Sequence, residues 1–470
     1  MSKKLKSFET FAGCGGLALG LKAAGFELEL ANEFSLNASQ TFAHNILGDK
    51  SRVIKVDELP TFRDNSAVVV QGDFLKLVDE VQSNHDLRKR FDNLDLISGG
   101  PPCQGFSMAG KRKAGVAKNN LPFEFIRFVD MVRPKVVLIE NVIGILSLFL
   151  ANGKQETASK QIVLALSNAG YRVAVIKLNS AVVGVAENRL RVFFIAFRED
   201  TVNAQVINTD FLNLLNKTKL KSESEVKDVV DWTKSITVTE FAEFASAKKY
   251  SVKDAIDDLA KKGKQPSTYV KRRINGMLNP FVHHNYRSNK YYNHEERTHT
   301  NRVVHRFRLR QLFIDDLVLY NEITYYLKFG KHTITFSRYN DLLDQIKVDP
   351  LLTQELESPT LIGLKKLLDS LRSKKHSQRV LKAHEPSHTI VTIPDDLIHY
   401  DKSHSRVLTV RECARIQSFP DKFVFLGKAT TGGHLREIEA PQYTQVGNAV
   451  PPLVGYFWGR VISNILLNER

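Results

Sequence analysis

The sequence predicts an α/β fold built on a mostly parallel sheet, with a second, smaller and irregular domain, and three observations carry that prediction. Over the first two hundred residues, short apolar β-rich runs alternate with helical patterns, the signature of a sheet covered by helices. After Arg198 the alternation fades into polar and charged sequence that resists assignment to about residue 380. A chain of 470 residues with 43% hydrophobic content can bury two sizeable cores.

The expected strands, in order, are Ser7 to Phe11, Glu27 to Asn32, Ala67 to Gln71, Leu94 to Ser98, Val136 to Ile139, Tyr171 to Leu178 and Val192 to Phe197. Between them, Leu17 to Ala24 and Phe123 to Val132 read as helices, the second with apolar residues three and four apart, as one helix face requires. Pro451 to Leu467 reads as an amphipathic helix after a Pro-Pro punctuation. In sheets of this kind ligands bind beyond the carboxyl ends of the strands, so motifs at those ends carry the functional signal.

Composition narrows the partner. No stretch of roughly 18 apolar residues is available to cross a membrane, and no signal peptide opens the chain, so a soluble, intracellular protein is expected. Three widely separated cysteines, Cys14, Cys103 and Cys413, argue against a disulfide framework or a clustered zinc site. A formal charge of +16 points to a polyanion. From Lys264 to Gln311 there are eleven Lys and Arg against two Glu, with five His and six aromatic residues interleaved. The His spacing there fits neither common zinc pattern, so no metal is expected.

The first strand runs into Phe11-Ala12-Gly13-Cys14-Gly15-Gly16-Leu17, a glycine-rich turn that opens a helix and lets the backbone approach a ligand. The second strand ends at Glu33, placed to accept hydrogen bonds from ribose hydroxyls, and the third ends at Gly72-Asp73-Phe74. These residues alone leave a Rossmann-like dinucleotide site open, since Gly13-x-Gly15-x-x-Ala18 also satisfies that fingerprint, and so does a turn with no ligand at all. More specific is Gly99-Gly100-Pro101-Pro102-Cys103-Gln104-Gly105-Phe106-Ser107, which puts a cysteine on a rigid Pro-Pro loop at the same edge. A lone cysteine is usually a small buried hydrophobe, but this setting suits a nucleophile. Forty residues on, Val136 to Ile139 runs into Glu140-Asn141-Val142, bringing a carboxylate to that edge.

These blocks, with the ENRLR string at Glu187, Arg406 to Asp421 (RVLTVRECARIQSFPD) and Gln445 to Pro452 (QVGNAVPP), resemble the cytosine-5 DNA methyltransferase family of bacterial and phage restriction-modification systems, in the family's own order over about residues 6 to 198 and 385 to 467. The resemblance implies a class I methyltransferase fold and a discontinuous catalytic domain, residues 1–199 with 438–470, while 200–437 would form a target-recognition domain and hinge. It implies S-adenosyl-L-methionine as cofactor, held by Phe11, Cys14, Gly16, Glu33, Phe34, Asp73, Phe74, Leu121, Asn448 and Val450. Cys103 would add to carbon 6 of a flipped-out cytosine while Glu140 donates to ring nitrogen 3, Arg191 holds the base's carbonyl oxygen and Arg189 supports the site. One departure stands out: Ala186-Glu187 precedes Asn188-Arg189-Leu190-Arg191 where the family usually has Gln, often after Pro.

The expected partner is double-stranded DNA, with a companion restriction endonuclease sharing the site without contact, for a cytoplasmic, monomeric protein. A tRNA-directed relative shares the catalytic blocks, but the large basic segment favours duplex DNA; a catalytically weak DNA-binding relative should have lost Cys103 or Glu140. DNA contacts are expected from the basic loop Gln104 to Asn120, with Ser107, Lys111 and Arg112, and from Arg302, Arg306, Arg308 and Arg310, whose near-alternate positions suggest one face of a strand or extended ribbon. The bland reading of both segments is a solvated basic surface.

Overall fold

A computed structural model describes residues 4–61, 64, 66–102, 121–151, 154–201, 230–232, 248–260, 263–283, 291–330, 336–373, 378–433 and 435–467. Cys103, Ser107, Lys111 and Arg112 lie outside the described residues. The strands are β1 (Leu5–Thr10), β2 (Phe26–Glu33), β3 (Val53–Lys55), β4 (Val68–Gln71), β5 (Leu96–Gly99), β6 (Val136–Val142), β7 (Leu148–Ala151), β8 (Lys154–Thr157), β9 (Tyr171–Asn179), β10 (Glu187–Asn188), β11 (Leu190–Arg198), β12 (Val230–Trp232), β13 (Arg379–Val380), β14 (Ser387–His388) and β15 (Leu397–Ile398). Nine of them form one sheet in the order β12-β9-β11-β6-β5-β1-β2-β4-β3. Only β11 runs antiparallel to its neighbours, β6 and β9, so the sheet is mostly parallel, as the sequence predicts.

The apolar runs are continuous because both faces of the sheet are covered. Period-two alternation divides each strand between two cores. Leu138, Phe193 and Ile195 face α1 (Gly16–Ala23) and the C-terminal helix Pro452–Leu467. Ile139, Val192 and Phe194 face α3 (Phe74–Ser83), α5 (Leu121–Val132) and α6 (Ala158–Asn168); α2 (Leu36–Phe42) and α4 (His85–Lys89) are the other α-helices among the described residues of this half. The C-terminal helix crosses α1 at glycines: a Cβ on Gly455 would sit 2.7 Å from the carbonyl oxygen of Leu17, and one on Gly20 would collide with the carbonyl of Pro452. No other residue type allows that approach.

Where the sequence is hard to assign, the helices Asn301–Leu312, Leu317–Phe329, Phe336–Val348 and Leu361–Ser370 gather around a core of their own that includes Leu309, Ile323, Leu342, Ile346, Leu364 and Leu368. The arginine-rich stretch is therefore corrected from an extended ribbon to a helix. Arg302, Arg306 and Arg310 stand four residues apart and share one helix face. Arg306 donates from Nε to the carbonyl of Leu371 at 2.8 Å, and Arg302 from Nη2 to that of Arg372 at 3.1 Å, satisfying carbonyls at the end of helix Leu361–Ser370. Arg310, 2% exposed, donates to Thr324 and to the carbonyl of Gln378, and Arg308 pairs with Asp349 at 2.7 Å. Three of these four cations hold the fold together from within it. Arg306→Ala and Arg310→Ala should each lower unfolding free energy by about 1–3 kcal/mol in denaturant melts while leaving the salt slope of DNA binding unchanged; a slope that falls with stability intact would restore the phosphate-contact role.

A buried ionic joint ties helix Val410–Ile416 to helix Val252–Ala260 and the segments beside them. Thr409 and Glu412 form a capping box on helix Val410–Ile416, and Glu412 takes both ends of the Arg406 guanidinium at 2.8 Å. Arg415, fully buried, pairs with Asp258 at 2.6 Å and Asp421 at 2.7 Å and lies over the Tyr291 ring. His294, from the His-rich stretch, bridges Thr409 and the carbonyl of Leu259 and so belongs to this joint rather than to a solvated face.

Candidate active site

The carboxyl ends of β1, β2, β5 and β6 open onto a cavity of about 480 Å³. At the end of β1 the chain turns sharply: Phe11 has φ +51°, Gly13 +55° and Gly15 +93°, the left-handed region where glycine is at no steric disadvantage. Glu33, at the end of β2, accepts from the Gly13 amide through one carboxylate oxygen and from the Ser35 amide through the other, both at 2.8 Å. These bonds fix its side chain against the glycine turn, and burial raises its pKa. Phe34 projects beside it, 59% exposed.

Phe11, Glu33, Phe34, Asn448 and Val450 all line the cavity. The other expected cofactor residues stand behind or beside it. Cys14 is fully buried, donates from Sγ to the carbonyl of Gln445 at 3.6 Å, and has its thiol pKa pushed up by burial. Gly16 lies against the carbonyl of Val450, where any Cβ would collide, so it sets the approach of the wall rather than forming it. Phe74 is buried with its ring 4.9 Å from that of Phe11 and props it from below. Asp73 is exposed and caps α3, accepting from the Leu75 amide at 3.0 Å, while Leu121 is the half-buried first residue of α5. Three polar wall residues were not expected as site residues from the sequence: Glu9, Asn141 and Gln445. Gln445 was within reach, since it opens the QVGN string; Glu9, inside a strand, gave no signal.

On the far side of the cavity, β6 and β11 pair in a register that sets Arg191 opposite Val142 and Phe193 opposite Glu140. Glu140 Oε1 meets Arg191 Nε at 2.9 Å, both side chains largely buried. Asn141 donates to the carbonyl of Pro101 at 3.0 Å, anchoring the chain two residues before Cys103, and Pro101 and Pro102 complete the wall. A carboxylate, a guanidinium and the anchored approach to a cysteine thus share one edge.

Arg189 does a different job from Arg191. It is 3% exposed and donates to the carbonyls of Ile390 at 3.3 Å and Gly447 at 3.0 Å, tying β11 to the segment that carries Asn448. Burial, with Arg191 nearby, lowers its pKa to about 10. Glu187, the departure noted in the sequence, is fully buried, accepts from the Ile390 amide at 2.5 Å and lies 3.8 Å from Arg189. The added carboxylate is thus taken up by Arg189 and a backbone amide, leaving Arg191 to Glu140.

A doubly covered, mostly parallel sheet with its glycine turn, carboxylate and cavity at the strands' carboxyl ends is the class I methyltransferase architecture and also that of dinucleotide-binding folds, and the family decides between them. The sequence profile of the C-5 cytosine-specific DNA methylases matches residues 5–464, and the chain belongs to that family, whose activity is methylation of DNA at carbon 5 of cytosine. The type II methyltransferase M.DdeI of Desulfomicrobium norvegicum is 31% identical over 97% of this chain and 88% of its own length. M.AgeI of Thalassovita gelatinovora, also a type II methyltransferase, is 27% identical over 96% of this chain and 97% of its own. Among solved structures, a prophage-encoded E. coli protein assigned as a DNA modification methyltransferase superposes with a TM-score of 0.56 at 21% identity, covering 99% of this chain and all of that one, which speaks to the fold alone. No described helix is long and apolar enough to cross a membrane.

Proposed function

We propose that the chain transfers the methyl group of S-adenosyl-L-methionine to a cytosine rotated out of a specific duplex sequence, through a covalent adduct with Cys103. The observation that carries this reading is the Glu140–Arg191 pair on the edge of the cavity walled by Phe11, Glu33, Phe34, Asn448 and Val450. The cavity fits the donor: its volume is within the range of small-molecule sites, Phe11 and Phe34 offer aromatic faces to an adenine, and Glu33 offers carboxylate oxygens to ribose hydroxyls. When bound, the donor supplies an electrophilic methyl group. Carbon 5 of cytosine is too weakly nucleophilic to take it unaided, so Cys103 adds to carbon 6 and builds electron density at carbon 5. Glu140 donates to ring nitrogen 3, and Arg191 holds both that carboxylate and the base's carbonyl oxygen. Loss of the carbon 5 proton to water then breaks the sulfur–carbon 6 bond, restores the ring double bond and releases Cys103 as thiolate. Asp73, Phe74, Leu121, Cys14 and Gly16 support the donor site, while Arg189 positions the wall at Gly447.

In the same reading residues 1–199 and 438–470 form the catalytic domain and 200–437 the recognition domain and hinge. Ser107, Lys111 and Arg112 close on the DNA, and unpairing the target base costs a few kcal/mol. The protein acts as a cytoplasmic monomer beside an endonuclease that reads the same site. The test is product analysis: duplex DNA incubated with the protein and methyl-labelled donor should yield labelled 5-methyldeoxycytidine at one recurrent sequence by bisulfite mapping. Label on an exocyclic nitrogen, or on tRNA in preference to duplex DNA, would overturn the proposal.

A further inference from the structure

The positive charge of the chain needs an outward face, and the arginines of helix Asn301–Leu312 are mostly engaged inside the fold. A second hollow, of about 510 Å³, gathers Lys248, Lys249, Lys253 and Lys264 around the start of helix Val252–Ala260. The acidic residues that line it are already answered from within. Asp254 accepts from the amide and hydroxyl of Ser251 at 2.9 and 2.8 Å, Asp257 from Lys264 and the Tyr400 hydroxyl, and Asp258 from Arg415 at 2.6 Å. Lys248 lies over the Tyr250 ring, whereas Lys249 and Lys253 have no ion pair among the described residues. Cations gathered in this way repel one another until a polyanion relieves them.

Backbone pairing fixes where the hollow sits. The amides of Val252 and Lys253 donate to the carbonyls of Glu385 and Ala383, each at 2.9 Å, and the Ser387 amide donates to the carbonyl of Ala186 at 2.8 Å. Ala186 directly precedes β10, and β11 follows with Arg191. From the lysines to Arg191 the path is thus Ala383 to Ser387 and then Ala186 to Arg191, at most about 3.6 Å for each residue. That span is on the order of one turn of duplex DNA, roughly 35 Å. Tyr250, beneath Lys248, stacks on the buried Tyr269 ring at 4.2 Å, so the rim is built on the core and keeps its place.

We infer that this hollow grips the phosphate backbone of the duplex outside the target base, with Lys249 and Lys253 as the contacts, an assignment that rests on the duplex reading proposed above. Phosphate contacts carry no sequence information, so the surface holds and orients the duplex while bases are read elsewhere. The test is anisotropy of labelled duplexes, with and without the mapped target sequence, bound to the full chain from about 50 to about 200 mM salt. K249A/K253A should lower the slope of log affinity against log salt by about 1.8, so that this rise in salt costs the variant about tenfold less affinity than the unaltered protein. The change should be the same on both duplexes. An unchanged slope overturns the inference, and gives the hollow to an acidic protein if polyglutamate binding falls instead. A loss confined to the target duplex overturns it too, since that marks base reading. An unaltered protein that binds neither duplex overturns the duplex reading itself. Should K249A/K253A not fold, K249A alone, at an exposed position, should lower the slope by about 0.9, and the same outcomes apply to it.

Discussion

Replacing Cys103 with alanine is expected to abolish methyl transfer and, with it, the denaturant-stable complex that the unaltered protein should form on target DNA carrying 5-fluorocytosine. The ring must be activated by addition at carbon 6 before carbon 5 can accept a methyl group; the other two thiols of the quoted blocks, Cys14 and Cys413, are buried, and in the proposed mechanism Glu140, with Arg191 bound to it at 2.9 Å, serves as proton donor. Fluorine at carbon 5 leaves no proton to remove, so elimination stops and the adduct accumulates. Removing a nucleophile of this kind should lower turnover by on the order of 10³-fold or more, while S-adenosylhomocysteine binding stays intact because the donor wall is made by other residues. A C103A protein that still forms the adduct, or an unaltered protein that forms none on its own site, would sink the covalent mechanism.

The second large effect is on stability. Arg415→Ala should cost about 3–5 kcal/mol, because it leaves Asp258 and Asp421 buried with their partner gone. Arg415 holds both carboxylates, at 2.6 and 2.7 Å, and its charge is what keeps the Asp421 carboxyl below the usual range despite burial. The penalty arises from stranded charge more than from a lost attraction, so the double variant with Asp258→Asn should recover part of it. Denaturant melts at unchanged slope would measure both. A loss under about 1 kcal/mol would mean that the joint is wet or rearranges, and its place between helices Val252–Ala260 and Val410–Ile416 would carry less of the fold than the geometry indicates.

How far the sequence was legible follows from what each segment had to satisfy. The seven expected strands were readable because a doubly covered parallel strand must be apolar at nearly every position, as at Val136 to Ile139, and little else in a soluble chain has that composition. The cavity wall was readable where glycine or a strand-end carboxylate is required, as at Gly13 and Glu33. The helical half was not. The charges of its helices are numerous, and the arginines at 306, 308 and 310 satisfy a period of two as well as Arg302, Arg306 and Arg310 satisfy a period of four. Periodicity alone cannot separate those patterns; the carbonyls of Leu371, Arg372 and Gln378, far along the chain, decide between them. Glu9 was hidden for the converse reason: an acidic residue in a strand reads as a solvated position, and only the assembled cavity shows it to be buried.

The crossing of α1 by the helix Pro452–Leu467 also governs when the enzyme comes into being on the ribosome. The first wall of the cavity, around Gly13 and Glu33, is made early, but Asn448 and Val450 emerge some four hundred residues later, at roughly 5–20 residues per second. For tens of seconds the nascent α1 therefore has its apolar face and its Gly20 notch uncovered. Only translation of nearly all of these residues supplies the surface that fills it. A chain interrupted by a stop codon between Trp232 and Gly447 would carry the sheet and the Glu140–Arg191 pair without the cavity wall at Asn448 and Val450, so synthesis itself leaves such incomplete copies with an open site.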